Sequence, residues 1–226
     1  MTWPWLDKGF TSDRHRWSGD AHRDRRALHD VERYTTTEFR AETAGLGVIG
    51  LVHAHAATAA DPAHETAWLG ELGDRLGWPS AIIARAELAS PGCVDLLRRH
   101  RAASPRCSSV RDMGGPDGLD LDACAAALDV ATELQFAVEV RAAPERFAMF
   151  DELAQRWPEV NFVLSHASLP IERTPSTLRL WRDAALRLAE HPNWYCKVSA
   201  LCGGSDPDWT VESIRPGALG CVETFG

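Results

Sequence analysis

From residue 47 onward, short runs rich in Val, Ile, Ala and Leu alternate with longer segments whose apolar residues recur every three or four positions. The short runs have the length and β-branched content of strands, and the longer ones have the period of amphipathic helices. The pattern predicts strands over Val48 to His55, Ser80 to Glu87, Cys107 to Met113, Gln135 to Arg141, Asn161 to His166 and Trp194 to Leu201. It predicts helices over Ala63 to Leu76, Val94 to Ala102, Leu121 to Leu134, Pro144 to Arg156, Leu178 to Glu190 and Val211 to Phe225. In Pro144 to Arg156, for example, Phe147, Phe150, Leu153 and Ala154 share one face. Prolines mark two helix ends, at Trp157-Pro158 and His191-Pro192, because the residue before a proline is pushed out of the helical region.

Strands separated by single helices specify a parallel sheet, and a spacing of roughly 25 to 35 residues is one βα unit. The expected fold class is therefore α/β, an incomplete (β/α)8 TIM barrel with about six strands present, favoured over a doubly wound sheet. A closed barrel needs eight strands and about 250 residues. In these 226 residues no strand is convincing before Gly47, and none has room after Leu201. The first and last strands are thus expected to be missing. Residues 1–226 are expected to form one domain, with an irregular lead-in and first helix over 1–46 and βα repeats over 47–226.

With 45% hydrophobic and 25% charged residues the composition is that of a soluble globular protein. A net charge of -8 argues against a nucleic-acid surface, which needs clustered Lys and Arg. The Arg and His between Arg14 and Arg33 are interleaved with Asp, so that segment reads as solvated. There is no apolar run of membrane-spanning length and no signal-peptide pattern in Met1 to Asp13, so a cytoplasmic location without membrane partners is expected. The six cysteines form no Cys-x-x-Cys pair and are expected to be reduced and mostly buried.

Active sites of barrels gather at the carboxyl ends of strands, which directs attention to a few side chains. His53 and His55 lie two apart, hence on one face, facing the interior if their strand is buried. That geometry suits two metal ligands, although such pairs also arise by chance. His166 ends its strand and could bind a divalent metal or accept a proton, with a core histidine as the alternative. Arg111 could hold a carboxylate or carbonyl in a bidentate grip, or form a structural ion pair with Asp112 or Glu87. Glu139 and Arg141 share a face and could simply pair with each other or a neighbour. Lys197, in an apolar strand and on the same face as Ser199, must be either paired or functional. No Gly-x-Ser-x-Gly elbow, phosphate loop or dinucleotide motif is present.

Read in order, several of these segments carry a resemblance. They are Val48 to Ala56, Asp61-Pro62 with Glu65 to Leu69, Ser109 to Met113, Phe162 to His166, Asn193 to Ser199, and Glu223 to Gly226. Together they resemble the amidohydrolase-2 family of TIM-barrel metal-dependent hydrolases, which includes sugar-acid and pyrone-dicarboxylate lactonases. The resemblance covers most of the chain, from about Thr2 to Gly226. It implies that Arg111 grips a substrate carboxylate or carbonyl, that His166 serves the metal or substrate site, and that Lys197 and Ser199 stand at the mouth as substrate-binding residues. It also implies a small-molecule substrate and a divalent metal, zinc by default for a histidine-rich site. The implied reaction is attack of activated water on a lactone carbonyl.

The departures from the family pattern shape a further expectation. The family's first strand ends in His-x-His just before a segment that Trp3-Pro4-Trp5-Leu6 resembles, and its last strand follows Glu-x-Phe-Gly and ends in a catalytic aspartate. His53 and His55 match the second strand by context, so they do not inherit the first strand's ligand role. The chain is therefore expected to be truncated at both ends, with exposed strand edges that favour dimerisation or aggregation. Three readings stand: a lactonase-type hydrolase with little activity in this chain alone, a non-catalytic remnant or partner-binding fragment, and an amidohydrolase-like decarboxylase.

Overall fold

In a computed structural model, residues 36–55, 60–112, 119–170, 172–201 and 209–226 are described. Helix α1 (Thr36–Glu42) precedes six βα steps: β1 (Val52–Ala54), α2 (Pro62–Leu76), β2 (Ala81–Arg85), α3 (Cys93–Ala103), β3 (Cys107–Arg111), α4 (Leu121–Glu133), β4 (Ala137–Val140), α5 (Ala148–Arg156), β5 (Phe162–Leu164), α6 (Pro175–Leu188), β6 (Trp194–Cys196) and α7 (Val211–Phe225). The six strands form one sheet in the order β1-β2-β3-β4-β5-β6, and every pairing is parallel. A doubly wound sheet would reverse its strand order at a switch point. An unbroken sequential order is the wall of a (β/α)8 barrel, so the α/β reading and its six strands are met.

Pleating divides the sheet into two faces. Ile82, Ala84, Val110, Val138, Val140, Phe162, Leu164 and Trp194 lie on one face and are buried beneath the helices. Phe162 stacks on Trp194 with ring centroids 5.2 Å apart, and Trp194 meets Phe150 of α5 at 4.9 Å. Burying each such ring contributes about 1.5 to 3 kcal/mol. The alternate positions run in register across the other face, from Arg85 to Arg111 to Glu139 to Val163 to Tyr195. The polar part of that row, Arg85, Arg111 and Glu139 near the carboxyl ends of β2, β3 and β4, positions the candidate site.

Three boundaries depart from the hydrophobic pattern. The apolar run at 48–51 stays outside the ladder: among the described residues β1 pairs with β2, and that register starts at Val52 opposite Ala81; Ile49 is 99% exposed. The run from Lys197 to Leu201 also leaves the ladder, turning at Ala200, which has a φ of 52°. Pro144 to Arg156 is two pieces, a 3-10 turn over Pro144–Arg146 and then α5, with Phe147 at the junction.

Helices α2 and α6 begin earlier than their apolar periodicity indicates. Asp61 accepts a hydrogen bond from the Ala63 amide and Thr174 from the Thr177 amide, and each is followed by a proline at the first helical position. Proline is preorganised there and its missing N–H is no loss.

Candidate functional site

Glu139, the next-to-last residue of β4, has 1% of its surface exposed and is the hub of the polar row. Arg111, its registered neighbour on β3, places Nη2 at 2.7 and 2.9 Å from the two carboxylate oxygens. Ser165, just after β5, donates to Oε1 at 2.5 Å. Lys197, just after β6, donates from Nζ at 3.2 Å to Oε1. One carboxylate on β4 thus gathers side chains from three other strand ends, those of β3, β5 and β6. Burial works against its charge, but the hydrogen bonds from Ser165 and Arg111 and the charges of Arg111 and Lys197 outweigh it and hold the carboxyl below its usual range.

Arg111 therefore pairs with Glu139 and with neither of the acids set against it in the sequence. Asp112 instead accepts from the Leu88 amide at 2.7 Å, and Glu87 pairs with Arg85. The Nε of Arg111 is buried without a hydrogen-bond partner among the described residues. Lys197 resolves as paired, with its side chain 31% exposed at the rim of the cluster.

His166 lies next to this hub and its Nδ1 is 2.7 Å from the Ser199 hydroxyl. Burial, then the positive charges of Arg111, Lys197 and Arg141, lower its pKa, so the ring is held neutral. Its backbone is unusual. His166, Ala167 and Ser168 are consecutive non-glycine residues with φ of 52°, 53° and 44°. Each such residue costs on the order of 1 to 3 kcal/mol and persists only where surrounding contacts enforce it. Here the Ala167 amide donates to the Lys197 carbonyl at 3.0 Å, and the Trp181 indole donates to the Ala167 carbonyl at 2.7 Å.

His53 and His55 take a different position. Both approach helix α2: His53 Nε2 is 3.5 Å from Glu65 Oε1, and His55 lines a narrow space with Pro62, Glu65, Thr66 and Leu69 of that helix. Burial pushes the His55 pKa down to about 4, and neither ring nitrogen has a hydrogen-bond partner among the described residues. The charges of Arg111 and Glu139 nevertheless reach His55. Among the described residues no three His, Cys, Asp or Glu side chains converge where they could hold a metal ion. The described donor set therefore does not fit a metal centre. The loops after β3 and β6, from Gly114 to Asp120 and from Cys202 to Trp209, fall largely outside the described residues.

The sequence pattern undervalued Glu139 and passed over Ser165. Its strand offered the needed signal: a carboxylate in a strand flanked by buried valines must find partners. Of the two expected solutions, pairing with Arg141 or with a neighbour, the second holds, and the registered neighbour across the ladder is Arg111.

The model of the amidohydrolase family matches residues 13–226. The chain belongs to that family. Relatives include the uncharacterized protein y4mH of Sinorhizobium fredii, 27% identical over 99% of this chain and 76% of that protein. An L-fucono-1,5-lactonase of Burkholderia ambifaria is 23% identical over 72% of this chain and spans more, since the match covers 57% of it. An amidohydrolase from Burkholderia multivorans, solved with bound HEPES and with bound zinc, superimposes with TM-scores of 0.68 and 0.67 at 18% identity, over 85% of this chain and 70% of that one. That likeness carries the barrel fold. This amidohydrolase chain also has no helix among its described residues long and apolar enough to cross a membrane.

Proposed function

We propose that this amidohydrolase is a lactonase-type hydrolase of a small carboxylated or sugar-acid lactone, opened by attack of water. The observation that carries the reading is the convergence of Arg111, Glu139, Ser165 and Lys197 beside the His166–Ser199 pair. Two cations share one carboxylate there, leaving net positive charge to receive an anionic substrate. The L-fucono-1,5-lactonase likeness supports the same substrate class.

Each residue has a role in this reading. Arg111, with its unpartnered Nε, grips the substrate carboxylate or polarises the carbonyl. Glu139 fixes the direction of Arg111 and Lys197. Lys197 at the rim, with Ser199, binds the substrate's polar groups. His166, held neutral, takes a proton from the attacking water and returns it to the leaving oxygen. A divalent ion such as zinc would supply a Lewis acid for the carbonyl. The described residues do not assemble its ligands, so no step here runs through it.

The test is acid release from a panel of sugar-acid and dicarboxylate lactones, followed with a pH indicator, with and without added zinc. Hydrolysis is expected to fall by about 100-fold or more in His166→Asn, and Arg111→Met should raise KM. A cooperatively folded chain that opens no lactone in either condition overturns the reading. Release of carbon dioxide instead of a hydroxy acid transfers the site to the decarboxylase alternative.

A further inference from the structure

We propose that Ser199 and His166 form a nucleophile and base pair that accepts acyl groups from activated carboxylic esters, giving an ester on Ser199. The His166 Nδ1 and Ser199 Oγ are 2.7 Å apart, within the range at which a base draws the proton from an attacking hydroxyl. Both residues are partly exposed, so an ester can reach them.

The backbone supports a purpose for this contact. His166 itself is left-handed at a φ of 52°, and so is Ala200, the residue directly after Ser199. Two separate segments, one after β5 and one after β6, are each held in a disfavoured conformation, and the two side chains meet where they do so. Strained non-glycine backbone that neighbouring contacts hold in place clusters at reactive centres. The segment after β5 is clamped to the one after β6 by the Ala167 amide on the Lys197 carbonyl, and Arg173 donates from Nη1 to the Leu201 carbonyl at 2.7 Å. The pair is therefore braced from both sides. Lys197, two residues before Ser199, supplies a cation on the same segment for the charge that develops on the carbonyl oxygen.

The chemistry balances. The Ser199 Oγ forms a bond to the acyl carbon while its proton passes to His166 Nδ1. The bond from that carbon to the leaving oxygen breaks, and the proton passes from His166 to the departing alkoxide or phenoxide. Water then attacks the Ser199 ester, giving its proton to His166. Ser199 leaves as the alkoxide, takes the proton back, and a carboxylic acid is released. The activity goes beyond lactone opening and needs no lactone.

The probe is p-nitrophenyl acetate, with p-nitrophenol release followed by stopped flow and the acetyl group located by peptide mass spectrometry. The wild-type chain should give an initial burst approaching stoichiometry and an acetyl group on Ser199. Ser199→Ala should lose both, and His166→Asn should slow acylation by about 100-fold or more. Ser199→Cys should restore a burst through a thioester, which separates loss of the nucleophile from loss of the fold. A burst unchanged in Ser199→Ala, an acetyl group found on Lys197 and not on Ser199, or no adduct in a cooperatively folded chain overturns the proposal. Lactone hydrolysis that survives in Ser199→Ala without any adduct rejects the pair and leaves water attack standing. An adduct on Ser199 with no lactone opened rejects the lactonase reading alone.

Discussion

Lys197 and Glu139 are 58 residues apart in the chain, yet Nζ of the lysine is 3.2 Å from Oε1 of the glutamate. The parallel ladder makes this contact. Glu139 is registered with Val163 on β5, and Val163 with Tyr195 on β6, so Lys197 lies two residues further along the same face. The lysine reaches back over β5 to a carboxylate already held by Arg111 and Ser165.

Breaking that hub from its centre should be costly. Glu139→Gln leaves the Arg111 guanidinium buried without a counter-charge, and removing one partner of a buried ion pair costs about 3 to 5 kcal/mol. Partial exposure of Lys197 puts the expectation near the lower figure. Urea unfolding should show the loss as a lower midpoint, and a triple replacement of Glu139, Arg111 and Lys197 by apolar residues should recover most of it. Equal stability of Glu139→Gln and the wild type would mean that the hub contributes nothing to the fold.

Acid should weaken the fold over a defined window. His55 has a folded pKa of about 4 against an ordinary 6.5. The folded state therefore binds fewer protons than the unfolded state between those values, and stability rises with pH there. The contribution is fully present above 6.5 and is lost as pH falls toward 4, on the order of 3 kcal/mol in all. His100 and His166, also lowered by burial, act in the same direction. Chemical unfolding at a series of pH values should show the slope, and His55→Gln should flatten it. An unchanged slope in that variant would count against the buried neutral ring.

The βα alternation was legible because the apolar periods set the element types. The helix starts at Pro62 and Pro175 were not, because capping by Asp61 and Thr174 and the fixed φ of proline begin each helix before its first periodic apolar residue. What pattern could not show was pairing across strands. Arg111 and Lys197 were visible as unusual residues, but their shared partner depends on register, which arises from the ladder and not from local spacing. The left-handed turn at His166 was equally hidden, since neither His166 nor Ala167 carries the glycine that would announce a positive φ. His53 and His55 were expected to face the barrel interior, whereas His53 approaches Glu65 of α2.

His100 joins three elements and offers a test of buried hydrogen bonding. Its Nε2 is 3.0 Å from the Arg85 carbonyl, which can only accept, so Nε2 carries the proton and Nδ1 accepts from the Thr66 hydroxyl at 2.8 Å. Thr66→Val keeps the volume and leaves Nδ1 buried without a donor. The cost should be about 1 to 3 kcal/mol, read as a lower urea midpoint with an unchanged slope. Thr66→Ser, which restores the hydroxyl, should regain part of it; equal losses in both would assign the effect to packing.

Helices α2 and α3 approach through a glycine, which reverses the usual effect of adding a methyl group to a helix. A Cβ on Gly70 would stand 2.7 Å from Ser104 Oγ and 2.8 Å from Ser104 Cβ. Alanine ordinarily favours a helix over glycine by about 1 kcal/mol, but overpacking costs about 1 to 3 kcal/mol. Gly70→Ala should therefore lower Tm. Pairing it with Ser104→Gly should relieve the contact, and a Tm above the wild type for the single variant would show that the helices separate freely.

The thiols facing the helix and sheet interior should be inert in the native state. Burial pushes the Cys93 thiol up to about 11 and those of Cys107 and Cys124 up to about 12. The thiolate is the reactive species, so at pH 8 these three are both shielded and protonated. Iodoacetamide labelling followed by peptide mass spectrometry should leave Cys93, Cys107 and Cys124 unmodified in the folded chain and modify all three in urea. Adding urea in steps should make the three react together, because they belong to one buried cluster with Leu97, Val110 and Leu128. Early labelling of Cys107 alone would mean that β3 opens before the rest of the barrel wall.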